Sequence, residues 1–181
     1  MVIPHLVFYS PKGGVGTSVV AACAALTALP REWTVVIDAA PRHDMARVLG
    51  VHAAGKVVRG LSLEVHDDRP AMDSYPMSWV VVDVGTRYMD GFERLDGVQV
   101  MVLRPCYLAL ANALACPVRP DRIVLVEEPG RALDAVDVAK VLGVTDVVSL
   151  RWDPSISRCV DAGILTSRLP RVAVDALTPL L

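Results

Sequence analysis

The chain has 181 residues, 53% of them hydrophobic and 21% charged, with a net charge of −2, an isoelectric point near 6.1 and a mean hydropathy of +0.44. That composition is too apolar for a disordered chain and carries no basic excess to mark a nucleic-acid binder; it suits a single domain, residues 1–181, with strands covered on both faces. No apolar run reaches the roughly 18 residues of a membrane span, and MVIPHLVFYS lacks the basic start and small-residue cleavage site of a signal peptide, which predicts a cytoplasmic protein.

In chain order, residues 2–9 form an apolar run suited to a strand, followed by a glycine turn and an Ala-rich helix over about 16–29 that stops near Pro30. WTVVID (33–38) reads as a buried strand ending in an acid, and RHDMARVLG (42–50) as a short helix closed by Gly50. Residues 55–78, with HDDRP, are the least regular stretch and read as a surface excursion. WVVVDVG (79–85) is a second apolar run ending in an acid. VQVMVL (98–103), RIVLVE (122–127) and TDVVSL (145–150) are further strands, separated by helical stretches at about 106–115, 132–142 and 154–162. Residues 171–181 have apolar spacing suited to docking on the domain.

Strands without alternation, each followed by a helix, predict an α/β fold: a doubly wound, mostly parallel sheet with helices on both faces. Ligands of such sheets bind at the carboxyl ends of the strands. The glycine turn, Asp38 and Asp83 all fall at that edge. The four cysteines show no paired metal spacing and read as reduced core thiols; the histidines form no HxH or HxxxH pair.

The turn is YSPKGGVGTS, residues 9–18. Gly13, Gly14 and Gly16 let backbone N–H groups point at phosphate oxygens, and the helix N-terminus adds its positive end. Ser18 stands where such a loop supplies a hydroxyl to Mg²⁺. The ordinary pattern G-x-x-x-x-G-K-[ST] is broken twice, by Pro11 at the first glycine and Thr17 at the lysine. A lysine is nevertheless present ahead of the glycines, in a chain whose only lysines are Lys12, Lys56 and Lys140.

KGGVGTS resembles the deviant phosphate loop KGGxGK[ST] of the ParA/MinD family of partition and positioning ATPases, P-loop NTPases with a deviant Walker A motif. VVID (35–38), WVVVDVG (79–85) and RPCYLALANA (104–113) resemble that family's later segments. Thr17 and RWDPSISRCVDAGIL (151–165) resemble its CpaE/TadZ branch. The resemblance implies ATP and Mg²⁺ as cofactors, with Lys12, Gly13, Gly14, Val15, Gly16, Thr17 and Ser18 around the phosphates. It implies Ser18, Asp38 and Asp83 at the metal, and Lys12 and Asp38 as catalytic residues. Lys12 would reach across a nucleotide-bound homodimer. Adenine would lie near Trp152 and Asp153, with Glu127 or Glu128 at the position of the family's adenine-reading Asn.

Two departures bear on activity: the family's second acid after strand two is replaced by Ala40, and no basic amphipathic tail suited to a membrane follows. The implied function is an ATP-dependent dimeric switch in DNA partition or intracellular positioning with slow hydrolysis. Its partners would be non-specific DNA and a ParB-like or positioning protein. Arg119, Arg122, Arg151, Arg158, Arg168 and Arg171 are the candidates for a DNA-facing patch. The alternatives are a CpaE/TadZ-like pseudo-ATPase scaffold for pilus or secretion assembly, and a Rossmann-type dinucleotide-binding oxidoreductase suggested by Gly14-x-Gly16 with Asp38 downstream.

Overall fold

The computed structural model describes residues 5–75 and 78–181. Eight strands form one sheet: β1 (Leu6–Tyr9), β2 (Thr34–Asp38), β3 (Gly55–Val58), β4 (Leu61–Val65), β5 (Trp79–Gly85), β6 (Val98–Leu103), β7 (Arg122–Glu127) and β8 (Val147–Arg151). Their order is β3-β4-β2-β5-β1-β6-β7-β8, and every pairing is parallel except β3 with β4. Among the described residues six α-helices accompany them: α1 (Thr17–Ala28), α2 (Met45–Leu49), α3 (Tyr107–Ala115), α4 (Ala135–Leu142), α5 (Pro154–Asp161) and α6 (Arg171–Leu177).

The central strands are apolar at almost every position because both faces are covered. In β5, Val81 joins one core with Phe8, Val36 and α1, whereas Val80, Val82 and Val84 join the opposite core with Tyr9, Ile37 and Ala109. Helices α1, α2, α5 and α6 thus cover one face, and α3 and α4 the other. Helix α1 carries no polar stripe; ten of its 12 residues are buried. The α/β, doubly wound expectation holds, and no helix among the described residues is long and apolar enough to cross a membrane.

Two expectations need correction. The stretch 55–78 is not wholly a surface excursion: β4 pairs with β2 in parallel, Leu61 against Thr34 through Val65 against Asp38, and buries Leu61 and Leu63. Residues 76–77 of that stretch, and residues 2–4 of the first predicted strand, lie outside the described residues. The second helix begins at Met45 rather than 42, so residues 39–44 are loop.

Helix α2 ends at Gly50, whose φ of 72° is left-handed. This glycine lies against the loop after α5: a Cβ there would stand 2.1 Å from the Gly163 carbonyl oxygen. The Thr166 hydroxyl donates to the Leu49 carbonyl at 3.1 Å in the same seam, which joins α2 to the chain's last third.

Candidate functional site

Strand β1 ends at Tyr9, and the chain turns through residues 10–16 into α1. Ser10 N–H donates to the Gly85 carbonyl at 2.8 Å, anchoring the turn to β5, and the Ser10 hydroxyl donates to the Lys12 carbonyl at 3.0 Å. Gly14 and Gly16 have left-handed backbones, φ 78° and 98°, which accounts for glycine at both. Gly13 is different. Its φ is not left-handed, and a Cβ there would meet no atom within 4 Å. Nothing in the protein itself demands glycine at 13, whereas a ligand lying against the backbone would. The first turn of α1 carries no acid that would repel an anion.

Gly13, Gly14, Gly16, Thr17 and Ser18 line a pocket of about 610 Å³ whose other wall is Ala40, Pro41, Arg42, Asp44, Gly85 and Thr86. Val15 is turned inward and 4% exposed. Lys12 is exposed and lies outside that lining.

Asp38 and Asp83 stand opposite each other in register on β2 and β5. By strand parity both face the α1 side, with Val36 and Val81. Both are 0% exposed, but they are used differently. Asp38 accepts from the Ala40 N–H at 3.1 Å through Oδ1 and from the Met45 N–H at 2.9 Å through Oδ2. It therefore ties down both ends of the 39–44 loop. Asp83 Oδ1 accepts from the Gly85 N–H at 3.0 Å, and its buried Oδ2 has no hydrogen-bond partner among the described residues. Burial pushes the Asp83 carboxyl up to about 6; the Ser18 hydroxyl opposes this, the Asp38 charge adds to it, and the Gly85 N–H opposes it. A buried carboxylate oxygen without a partner, beside a serine hydroxyl at a glycine-lined pocket, fits the outer shell of a hydrated divalent cation. Among the described residues no three His, Cys, Asp or Glu side chains group to hold a metal by themselves, so a cation there would need oxygens from a ligand or water to complete its shell.

The 39–44 loop carries residues that the sequence reading passed over. Ala40, Pro41, Arg42 and His43 form a turn closed by the His43 N–H on the Ala40 carbonyl at 3.2 Å. His43 has a left-handed backbone, φ 48°, and its Nε2 lies 2.9 Å from Asp67. Arg87 donates to the Ala39 carbonyl at 3.1 Å and to the Asp67 carbonyl at 2.6 Å. Reading 42–50 as one helix hid this wall; Pro41, which favours the second position of such a turn, was the available signal.

The expected adenine-side residues lie at the same sheet edge but not in the phosphate pocket. Glu127 ends β7, accepts from the Ser149 hydroxyl at 2.6 Å, and offers its carbonyl to Trp152 N–H at 2.8 Å. Trp152 is 50% exposed, and Asp153 caps α5 by accepting from Ser155 N–H at 2.7 Å. Strand β7 is two strands from β1 in the sheet order, about 10 Å at the usual spacing. Glu128 is engaged elsewhere, with Arg104 at 2.6 Å and with Arg131. Of the six patch arginines, Arg158, Arg168 and Arg171 share one groove, whereas Arg122 is held by Asp146 at 2.9 Å and the Leu180 carbonyl at 3.0 Å.

Similarity to solved structures agrees with this layout. A chain of the MinC:MinD cell division protein complex of Aquifex aeolicus matches with a TM-score of 0.76 at 17% identity, over 98% of this chain and 95% of that one. The chain has the MinD/ParA fold. The septum site-determining protein MinD of Pyrococcus horikoshii OT3, in complex with Mg-ADP, matches with a TM-score of 0.71 at 14% identity, over 98% of this chain and 93% of that one. A ParA family ATPase of Chlorobium tepidum TLS matches at 0.68 and 13% identity, over 98% and 97%. No protein-family model and no curated protein matches the sequence. The MinD/ParA fold places the 10–16 turn, Asp38 and Asp83 at one edge of the sheet, as their strand-end positions require.

Proposed function

We propose that this chain is a MinD/ParA-type protein that binds ATP with Mg²⁺ at residues 12–18 and acts as a nucleotide-dependent dimeric switch with slow hydrolysis. The observation that carries the reading is Gly13: a glycine without backbone or steric need, in a turn that opens onto a helix N-terminus above a buried acid with an unpartnered oxygen. The backbone N–H groups of 13–18 would hold the phosphates. Bound Mg²⁺ would neutralise phosphate charge, held by the Ser18 hydroxyl and, through water, by Asp83. Asp38 would act chiefly by fixing the 39–44 loop, since both its oxygens accept backbone N–H groups. Lys12, exposed and outside the pocket, would serve a partner subunit. The Pyrococcus MinD structure, a complex with Mg-ADP, supports the cofactor pair.

The dinucleotide reading loses its main support, because Asp38 is buried and occupied by the loop backbone and so is not free for a ribose hydroxyl. The scaffold reading keeps a specific observation: Thr17 and Ala40 both line the pocket where the ordinary lysine and the second acid would stand. The switch would dock DNA or a partner protein when dimeric.

Light scattering of the whole chain with ATP·Mg²⁺, ADP·Mg²⁺ and no nucleotide tests the reading. ATP alone should convert monomer to dimer, and Lys12→Ala should bind nucleotide yet stay monomeric. A monomer throughout would leave the scaffold reading; dimerisation undiminished in Lys12→Ala would remove the cross-subunit role.

A further inference from the structure

We propose that Arg42 is the group that distinguishes a nucleoside triphosphate from a diphosphate at this site, an inference that rests on residues 12–18 being a phosphate cradle. Among the described residues Arg42 is the only lysine or arginine lining the pocket. A phosphate loop of the ordinary kind meets the β- and γ-phosphates with a lysine, and Thr17 occupies that position here. Backbone N–H groups suffice for the inner phosphates, so the terminal one lacks a cationic partner from its own chain unless Arg42 provides it.

Three features of the loop suit Arg42 to the task. The first is its place in the turn. Arg42 follows Pro41 at the tip of the Ala40–His43 turn, with its side chain exposed at the pocket wall. The second is that the backbone around it is fixed. Ala40 and Met45, on either side, both donate to Asp38, and Arg87 holds the Ala39 carbonyl. A cation on a fixed loop loses less freedom on binding. The third is that the neighbouring acids are already taken. Asp44 pairs with Arg47 at 2.7 Å, Asp67 meets His43 at 2.9 Å, and Asp38 is held by backbone. The guanidinium itself forms no ion pair among the described residues, which leaves its planar fork for a phosphate.

The test is a titration of the full chain with fluorescent ATP and ADP analogues in Mg²⁺, for wild type, Arg42→Ala, Arg42→Lys and, as a surface control, Arg31→Ala, an exposed arginine outside the pocket lining. Arg42→Ala should weaken ATP about 10- to 100-fold, the range for one charge-assisted hydrogen-bond pair, and change ADP less than about twofold. Arg42→Lys should recover part of the loss, and Arg31→Ala should leave both affinities near wild type. Repeating the pair in a Lys12→Ala background separates the effect from dimerisation. Equal losses for ATP and ADP, no loss at all, or a loss confined to the dimer-competent background would each overturn the assignment. Failure of the wild type to bind either nucleotide would overturn the cradle reading itself and remove the inference with it.

Discussion

Asp38 and Asp83 face each other across β2 and β5, both fully buried, yet only Asp38 has both oxygens satisfied. Burial first, and the neighbouring Asp38 charge second, raise the affinity of the Asp83 carboxyl for protons, since it lacks full hydrogen bonding. The arrangement costs stability in the free protein and is favourable only when positive charge is near.

The first prediction is the pH dependence of that cost. Asp83 titrates at about 6 in the folded chain against 3.8 as the ordinary value. Above pH 6 its buried charge destabilises the fold; as pH falls from 7 toward 4 the folded state takes up the proton first, so this group's contribution rises. The full effect is on the order of 3 kcal/mol. Asp83→Asn should raise the nucleotide-free melting temperature at pH 7.5 and flatten its pH dependence between 4 and 6, as followed by circular dichroism. A variant less stable than wild type at pH 7.5 would contradict this account.

The second prediction separates ligand from fold at the glycine turn. Gly13→Ala meets open space and no left-handed backbone, so its unfolding free energy should stay within about 0.5 kcal/mol of wild type. Nucleotide affinity should nevertheless fall at least about tenfold, because the methyl occupies the surface the phosphates approach. Unaltered affinity would mean that the phosphates lie elsewhere.

The legibility of the chain differed from place to place for physical reasons. Continuous apolar runs such as WVVVDVG announce a strand covered on both faces, and the acids at their ends mark the carboxyl edge. β4, LSLEV, alternates, as a strand near a sheet edge does, but its charged surroundings in 64–69 masked the period of two. The loop wall at Arg42 and Asp44 was hidden by a helix boundary misplaced by three residues. Asp44 sits at the helix's N-cap position without capping it, its side chain spent on Arg47. The Ser149–Glu127 contact depends on the β7–β8 register, which no local pattern encodes.

A third prediction concerns the seam between α2 and the loop after α5. Gly50→Ala would place its methyl 2.1 Å from the Gly163 carbonyl oxygen and also hold a left-handed φ of 72°. Gly163→Ala shares the left-handed backbone, at φ 66°, but meets nothing nearer than 3.8 Å. Gly163→Ala should cost about 1 kcal/mol, and Gly50→Ala clearly more, about 2–4 kcal/mol by urea denaturation. Equal costs would show that the two loops part easily.

The fourth concerns turnover. Loss of one preorganised electrostatic group commonly lowers a rate by about 10²–10³, and Thr17 and Ala40, both lining the pocket, stand where the proposed function would call for such groups. Phosphate release at saturating ATP and Mg²⁺ should therefore fall well below about 10 per second, and Thr17→Lys or Ala40→Asp should raise it. Rapid release by the unmodified chain, or no gain in either variant, would mean that other residues carry the reaction.

Helix α1 is enclosed on nearly every side, so its position cannot report what is bound at its N-terminus without breaking the core. Information about the bound state must leave through parts that can shift while the sheet and α1 stay fixed: the exposed Lys12 and the 39–44 wall. A protein that recognises the loaded form would have to read that rim, while substitutions in the buried body of α1, beyond Thr17 and Ser18, would only unfold the chain.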